Sequence, residues 1–501
     1  MLIEATTNRI HLLSIGVFHR LQFGLFLFTL SAVGCSQKTD ATFSSLDLSR
    51  GSETNHPSDT QGVDLLRGSS KIQLDKTVVS SQSEPVVDGV MLPTPRQRSV
   101  QDRLGTLFEA PSSHWKMAPE FIEIQLPELI NPYAIWGATG RDDLGNFFLG
   151  VSCAGDWRDS ATLCVVQPGK NQAVSLGDSV ANLRRLDLAT ASIMQMKIHS
   201  KPVQANDGFL YFASMDEYGE KEDGTRLPFY GSNLWRIRAN VSKNIIAETE
   251  WEHLLALPEG IIATGCTGRY VYALGYYQHA LYQFDTQDFG VRKVEVGSVG
   301  GHISRNLLVD LNEHVYVPRV VKGGADRYIA QLVEFDTQMV QVAAHPLEHY
   351  GATPDFSSHG IVGFAFLQNG DCIFTTHQGA LYHLRPRADS ASSLDSLGWF
   401  HPEGVSYVPC LYTPDGQSLV CGLANREGVF QWVVYEFANG LGEVISLSES
   451  ALAILQRQGT LAYGTHTRDQ QGDGMIVGWY QEEKSDEHLP YAVRVRWPDP
   501  N

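Results

Sequence analysis

The chain has 501 residues, of which 43% are hydrophobic and 10% aromatic, enough to bury a large core. Its formal charge of −18 argues against nucleic acid, or an anionic membrane surface, as the partner of the whole body. Local basic patches are still compatible with that balance.

Residues 1–35 read as a targeting segment. Arg9, His19 and Arg20 precede the apolar run 21–30, which leads into Ser31-Ala-Val-Gly-Cys35-Ser36. A basic start, a short apolar run and small residues before a cut describe a secretory signal. The run is short for a transmembrane helix. Ala32-Val33-Gly34-Cys35 resembles a bacterial lipobox, in which Cys35 becomes the lipidated first residue; plain secretion is the alternative. The resemblance implies a cell-envelope location, with the body lipid-anchored to a membrane and facing the periplasm or exterior.

Without Cys35, six cysteines are left, an even number suited to an oxidising compartment. Cys410 with Cys421, and Cys153 with Cys164, share one spacing. Each pair reads either as a hairpin disulfide or as two small buried hydrophobes. Residues 36–110 are rich in Ser, Thr, Gln, Asp and Gly and poor in apolar clusters. That composition cannot support a core and reads as a disordered tether.

The folded body is expected over residues 111–501. Seven turns punctuate it: Asp143-Leu-Gly-Asn146, Ala205-Asn-Asp-Gly208, Thr267-Gly-Arg269, Leu311-Asn-Glu-His314, Gln368-Asn-Gly-Asp371, Thr413-Pro-Asp-Gly416 and Gln471-Gly-Asp-Gly474. Each is followed by a short strand rich in β-branched and aromatic residues, such as Tyr270–Leu274 or Ser418–Cys421. A third strand recurs around Trp235, Tyr282, Val333, Tyr382 and Tyr435, in steps of 47, 51, 49 and 53 residues. Hairpins repeating near every 50 residues, with a fourth strand in most units, predict an all-β fold: a seven-bladed β-propeller of four-stranded antiparallel blades. The strand Phe121–Leu126 is expected to complete the last blade and leave no open edge. Thr139-Gly-Arg141-Asp142 and Thr467-Arg468-Asp469 share a pattern that reads as a structural Arg–Asp pair beside a turn.

In such a ring the first strand of each blade lines the axis. The residues expected at its start are Trp136, His199, Glu259, His302, His359, Tyr407 and Tyr463. Three His and one Glu therefore fall on four consecutive blades around one mouth. His199, His302, His359 and Glu259 form a candidate set for a divalent metal, against the alternative of a solvated polar channel; His466 lies close by. The loops on that face carry Trp157, Arg158, His279, Lys322, Arg327, His377 and Arg426, a candidate ligand-binding rim. Arg can fork onto a carboxylate or sulfate, and an aromatic ring can stack on a sugar. Two insertions, 176–196 and 215–231, map to the same face. The second bears Asp216, Glu217, Glu220, Glu222 and Asp223 without EF-hand spacing and reads as a solvated acidic loop.

The Leu-Tyr-x-Phe-Asp strand 281–285 and the Asn-Asp-Gly and Gln-Asn-Gly hairpins resemble those of bacterial extracytoplasmic β-propellers with quinoprotein-like and lactonase-like repeats. A narrower similarity is to oligogalacturonate lyase-type propellers. That family holds a divalent metal at the axis with His residues and acts on acidic sugars, and His199, His302 and His359 are the positions that would correspond. No nucleophile elbow, P-loop, dinucleotide fingerprint or His-Glu-x-x-His helix is present. Two functions follow as expectations. One is a membrane-tethered lipoprotein whose propeller binds a partner protein or an anionic polysaccharide. The other is a metal-dependent polysaccharide lyase or hydrolase acting on uronate-containing sugars at the axis.

Overall fold

The structure, a computed structural model, describes residues 115–497 apart from 156–158, 190–192, 239–240, 243–244, 247–249, 325–326, 351–359, 457–460, 465–471 and 482–486. The signal segment, Cys35 and the tether lie outside the described residues.

Seven antiparallel sheets follow one another in chain order and close into a ring. Blade 3 shows the plan. Its strands Ile261–Cys266, Tyr270–Gly275, Ala280–Asp285 and Val291–Glu295 pair in sequence order from the axis outwards. Blades 4, 5 and 6 repeat it over 308–346, 361–399 and 407–445. In blade 1 the inner strand is split into Pro132–Ala134 and Thr139–Arg141, both paired to Phe147–Cys153. Blade 2 runs from Val203 to Leu257.

Blade 7 joins the two ends of the described chain. Leu461–Gly464, Gly474–Gln481 and His488–Arg496 receive Glu120–Glu123 as the outer strand, with Phe121 opposite Val495. The expected closure is present, and pairing that last edge removes an open row of backbone donors and acceptors.

The alternation of side chains along each strand accounts for the core. In blade 3, Tyr272 and Leu274 pack with Val315 and Val333 of blade 4. The intervening Val271 and Ala273 pack with Tyr211 and Leu234 of blade 2. Successive residues point to opposite faces, so a blade buried on both sides needs apolar residues at nearly every position. The strand Phe147–Cys153 is buried throughout for this reason. Among the described residues seven apolar clusters result, one between each pair of neighbouring blades. Each fully buried side chain of Leu or Phe size stabilises by roughly 1.5–3 kcal/mol.

The turns use carboxylates to satisfy their own amides. Asp142 accepts from the amides of Leu144 and Asn146 and from the Asn146 side chain. Asp310 does the same for the amides of Asn312 and His314. Asp142 thus organises its turn, and the neighbouring Arg141 charge favours its ionised form. Arg468 and Asp469 lie outside the described residues.

The cysteine spacing does not make disulfides. Cys410 lies opposite Leu423 and Cys421 opposite Tyr412, two residues out of register with each other. Cys164 faces Leu149, while Cys153 faces Pro132 on the other side of its strand. The six described cysteines are free thiols, five of them buried. Burial raises the Cys164 and Cys410 thiols to about 12, so they behave as small hydrophobes.

Candidate functional site at the mouth of the ring

The starts of the inner strands converge around the axis, and blades 2 and 4 meet there. Arg305 Nη1 donates to His199 Nε2 at 2.8 Å. A guanidinium is always a donor, so Nε2 accepts and the ring proton sits on Nδ1. Desolvation, then the charges of Arg305 and Lys197, hold the His199 pKa well below its ordinary value. The ring is neutral at physiological pH, and its lone pair aims the Arg305 cation.

Aromatic rings line the same region. Trp136 stacks parallel to His199, with centroids 6.4 Å apart and planes 6° apart. Trp479 and Tyr133 continue from Trp136, and His488 stacks on Trp479. Tyr276 also lies against His199, with centroids 6.4 Å apart, and packs on Tyr277 at 4.1 Å. Lys197 Nζ lies 5.9 Å from the centre of the Trp136 ring and pairs with Glu217. Deeper, the buried Lys201 donates to Gly137 O at 3.1 Å; desolvation lowers its pKa to about 8.

Blades 3 and 4 together position Arg305 through a pair of histidines. The Ser304 amide donates to His279 Nε2 at 3.2 Å, so the neutral His279 carries its proton on Nδ1. That proton faces His302 Nδ1 at 3.3 Å, and His302 Nε2 in turn donates to Tyr350 Oη at 2.9 Å. Both His279 and His302 are fully buried. Desolvation drives the His279 pKa down to about 3. The pair pins the residue immediately before Arg305.

The insertion 216–231 folds over the mouths of blades 3 and 4, where Gln278 Nε2 donates to Gly224 O at 2.9 Å. It is only in part the solvated acidic loop its composition suggests: Glu222 and Asp223 are exposed, but two other acids are not. Asp216 is buried, and both Glu220 carboxyl oxygens are screened from solvent without a hydrogen bond of normal geometry among the described residues. Desolvation, then Glu217 and Glu259, raise Glu220 to about 9; desolvation raises Asp216 to about 6. Glu217 is committed to Lys197. Glu259 accepts from Tyr282 Oη at 2.8 Å and lies 3.4 Å from Lys293 Nζ. The acids at the mouth therefore carry less free negative charge than a count of residues implies.

The proposed metal ligands go to separate partners: His199 to Arg305, His302 to His279 and Tyr350, Glu259 to Tyr282 and Lys293. Among the described residues no group of three or more His, Cys, Asp or Glu is placed to hold a metal ion. His359 lies outside the described residues, as do Trp157, Arg158 and His466. Of the expected rim, His279 is buried in the hub rather than displayed. His377 packs on Tyr407 at 5.3 Å, Arg426 pairs with Glu403, and Lys322 and Arg327 are exposed. Arg305, Lys197 and Lys201 were missed by the sequence reading, and Glu220 was named only as part of a solvated acidic loop. Arg305 and Lys201 lie two or three residues beyond the axial positions His302 and His199, so a wider window at each strand start would have found them.

The architecture is that of a seven-bladed β-propeller, with Arg305, His199 and buried aromatic rings gathered at one mouth. No family profile matches the chain, and no curated protein matches it in sequence. Solved structures do share its architecture. One is a polysaccharide lyase, an ulvan lyase bound to GlcA(1-4)Rha3S (12% identity, TM-score 0.41, covering 74% of this chain and 95% of that one). Another is the β-propeller domain of the trilobed protease from Pyrococcus furiosus (10% identity, TM-score 0.39, covering 75% and 98%). A third is a protein from Lactobacillus plantarum (11% identity, TM-score 0.38, covering 64% and 85%). Identities and scores in this range describe likeness of form and carry nothing about activity.

Proposed function

We propose that this propeller is an envelope-tethered binding module for an anionic glycan, with Arg305 as the group that receives the acid. The observation that carries this reading is the hydrogen bond from Arg305 to a neutral, buried His199. A neutral histidine held as an acceptor orients the guanidinium and brings no charge of its own to the contact. Trp136 and Tyr276 pack against His199, the residue that orients that cation, and Arg presents paired N–H donors to a carboxylate or sulfate. The protonated Glu220 and the paired Glu217 and Glu259 leave the local field favourable to an anion despite the chain's overall charge of −18.

The lipobox-like segment supports a membrane tether that would hold this mouth near envelope or extracellular polymer. A metal-dependent lyase remains a separate reading, but no grouping of the described His, Asp and Glu residues supports it over binding.

The test is retention on immobilised uronate polymer against a neutral polymer of the same backbone. Arg305→Ala should weaken binding about ten- to a hundredfold, the value of one or two charge-assisted hydrogen bonds. Equal retention of wild type on both matrices would overturn the reading.

A further inference from the structure

The insertion 216–231 is a closed, ordered strap. Its neck is held by the Asp216 amide donating to Gly231 O at 3.0 Å, and its interior by Lys221 N to Arg226 O at 3.1 Å and Gly224 N to Lys221 O at 2.9 Å. It lies against blade 4 so closely that a Cβ on Gly300 would sit 2.4 Å from Asp223 O. A strap this well tied has no need of exposed aromatic rings for its own stability.

It nevertheless displays two. Tyr218 is 59% exposed and Phe229 65% exposed. Their ring centres are 5.6 Å apart, and the Phe229 amide donates to Tyr218 O at 2.9 Å, so they are fixed as a pair. The Phe229 ring lies over Gly219, where any Cβ would come within 2.5 Å of it. Arg226 sits 5.8 Å from the centre of the Phe229 ring and is tied to Gly219 O. The pair borders the mouth: Tyr218 follows Glu217, which holds Lys197 beside Trp136.

We propose that Tyr218 and Phe229 form a stacking platform for a second sugar ring, so that the ligand is an acidic oligosaccharide spanning strap and mouth rather than a single acidic sugar. This rests on the reading of the mouth as an anionic glycan site. The C–H face of a pyranose is apolar and slightly positive, which suits the negative face of an aromatic ring. Two rigid rings offer that contact at little entropic cost, and Arg226 beside them suits a polymer with regularly spaced acidic groups. A protein partner would use the same rings without any dependence on sugar number.

The test titrates the folded protein with galacturonate oligomers of one to six units, comparing wild type, Arg305→Ala and the double variant Tyr218→Ala/Phe229→Ala. Unchanged thermal unfolding of the double variant, whose rings are exposed, checks that the fold is intact. Wild type should bind longer oligomers more tightly. The double variant should keep its affinity for the single sugar and lose about tenfold for the hexamer, consistent with two aromatic contacts. Arg305→Ala should weaken binding at every length. A double variant that matches wild type at all lengths overturns the platform and leaves the mouth reading standing. Failure of wild type to bind any acidic sugar overturns the mouth reading itself.

Discussion

Arg305 of blade 4 donates to His199 of blade 2 across 106 residues of sequence, at 2.8 Å. The contact makes His199 an acceptor and fixes which face of the guanidinium is presented. Replacing His199 by Gln, which retains an acceptor, should preserve most acidic-glycan binding. Replacing it by Leu should lower binding about tenfold, because the guanidinium loses its orientation. Isothermal titration with an acidic oligosaccharide separates the two. Equal losses in both variants would show that the acceptor does not matter.

Glu220 should make the protein sensitive to alkali. Its carboxyl is raised from an ordinary value of 4.5 to about 9, chiefly by desolvation. Between those values the folded state binds more protons than the unfolded one, so this group's contribution to stability falls as pH rises. In Glu220→Gln the group no longer titrates. The melting temperature of that variant relative to wild type should therefore climb from pH 5 to pH 9. Parallel profiles would refute the buried carboxyl.

His279 should act in the opposite direction. Burial lowers it from 6.5 to about 3, so the unfolded state binds the extra proton between those values and stability falls as pH drops below about 6.5. His199 is depressed in the same sense. The variant His279→Asn does not titrate, and Asn tolerates the left-handed φ of 56° at this position. Thermal melts between pH 7 and pH 4 should fall less steeply for the variant. An unchanged slope would mean that the His279 ring takes up its proton without cost.

Arg494 should lock the ring shut. Fully buried, it pairs with Asp473 of blade 7 at 3.2 Å and donates to Gln167 O and Lys170 O of blade 1. Arg494→Met strands two carbonyls and leaves Asp473 to Arg496 alone, a change that should cost about 1–3 kcal/mol. Urea denaturation would measure it. A loss below about 1 kcal/mol would place the closure in the outer strand Glu120–Glu123 instead.

Much of the fold could be read along the chain because a propeller blade is a local object. Each hairpin pairs strands that are neighbours in sequence, so turns such as Asn206-Asp207-Gly208 and the recurring third strands reveal it directly. Closure by Phe121 was visible because an incomplete last blade needs one more strand. The cysteine pairs stayed open between disulfide and buried hydrophobe because spacing around a turn leaves register undetermined; a shift of two residues sends Cys410 and Cys421 past each other. The acidic insertion misled for a related reason. Composition shows that Glu220 is charged in water but not that the strap folds it inward.

The sequence by itself determined seven sheets and the residues that would begin each inner strand, since both depend on periodicities of two residues and of about fifty. Only the tertiary structure decided what those strand starts do to one another. Arg305 finds His199, His279 finds His302 and Glu220 loses its water because ring closure brings distant blades together in a region of low dielectric. Contact and desolvation of that kind depend on positions in space, and no local pattern of residues encodes them.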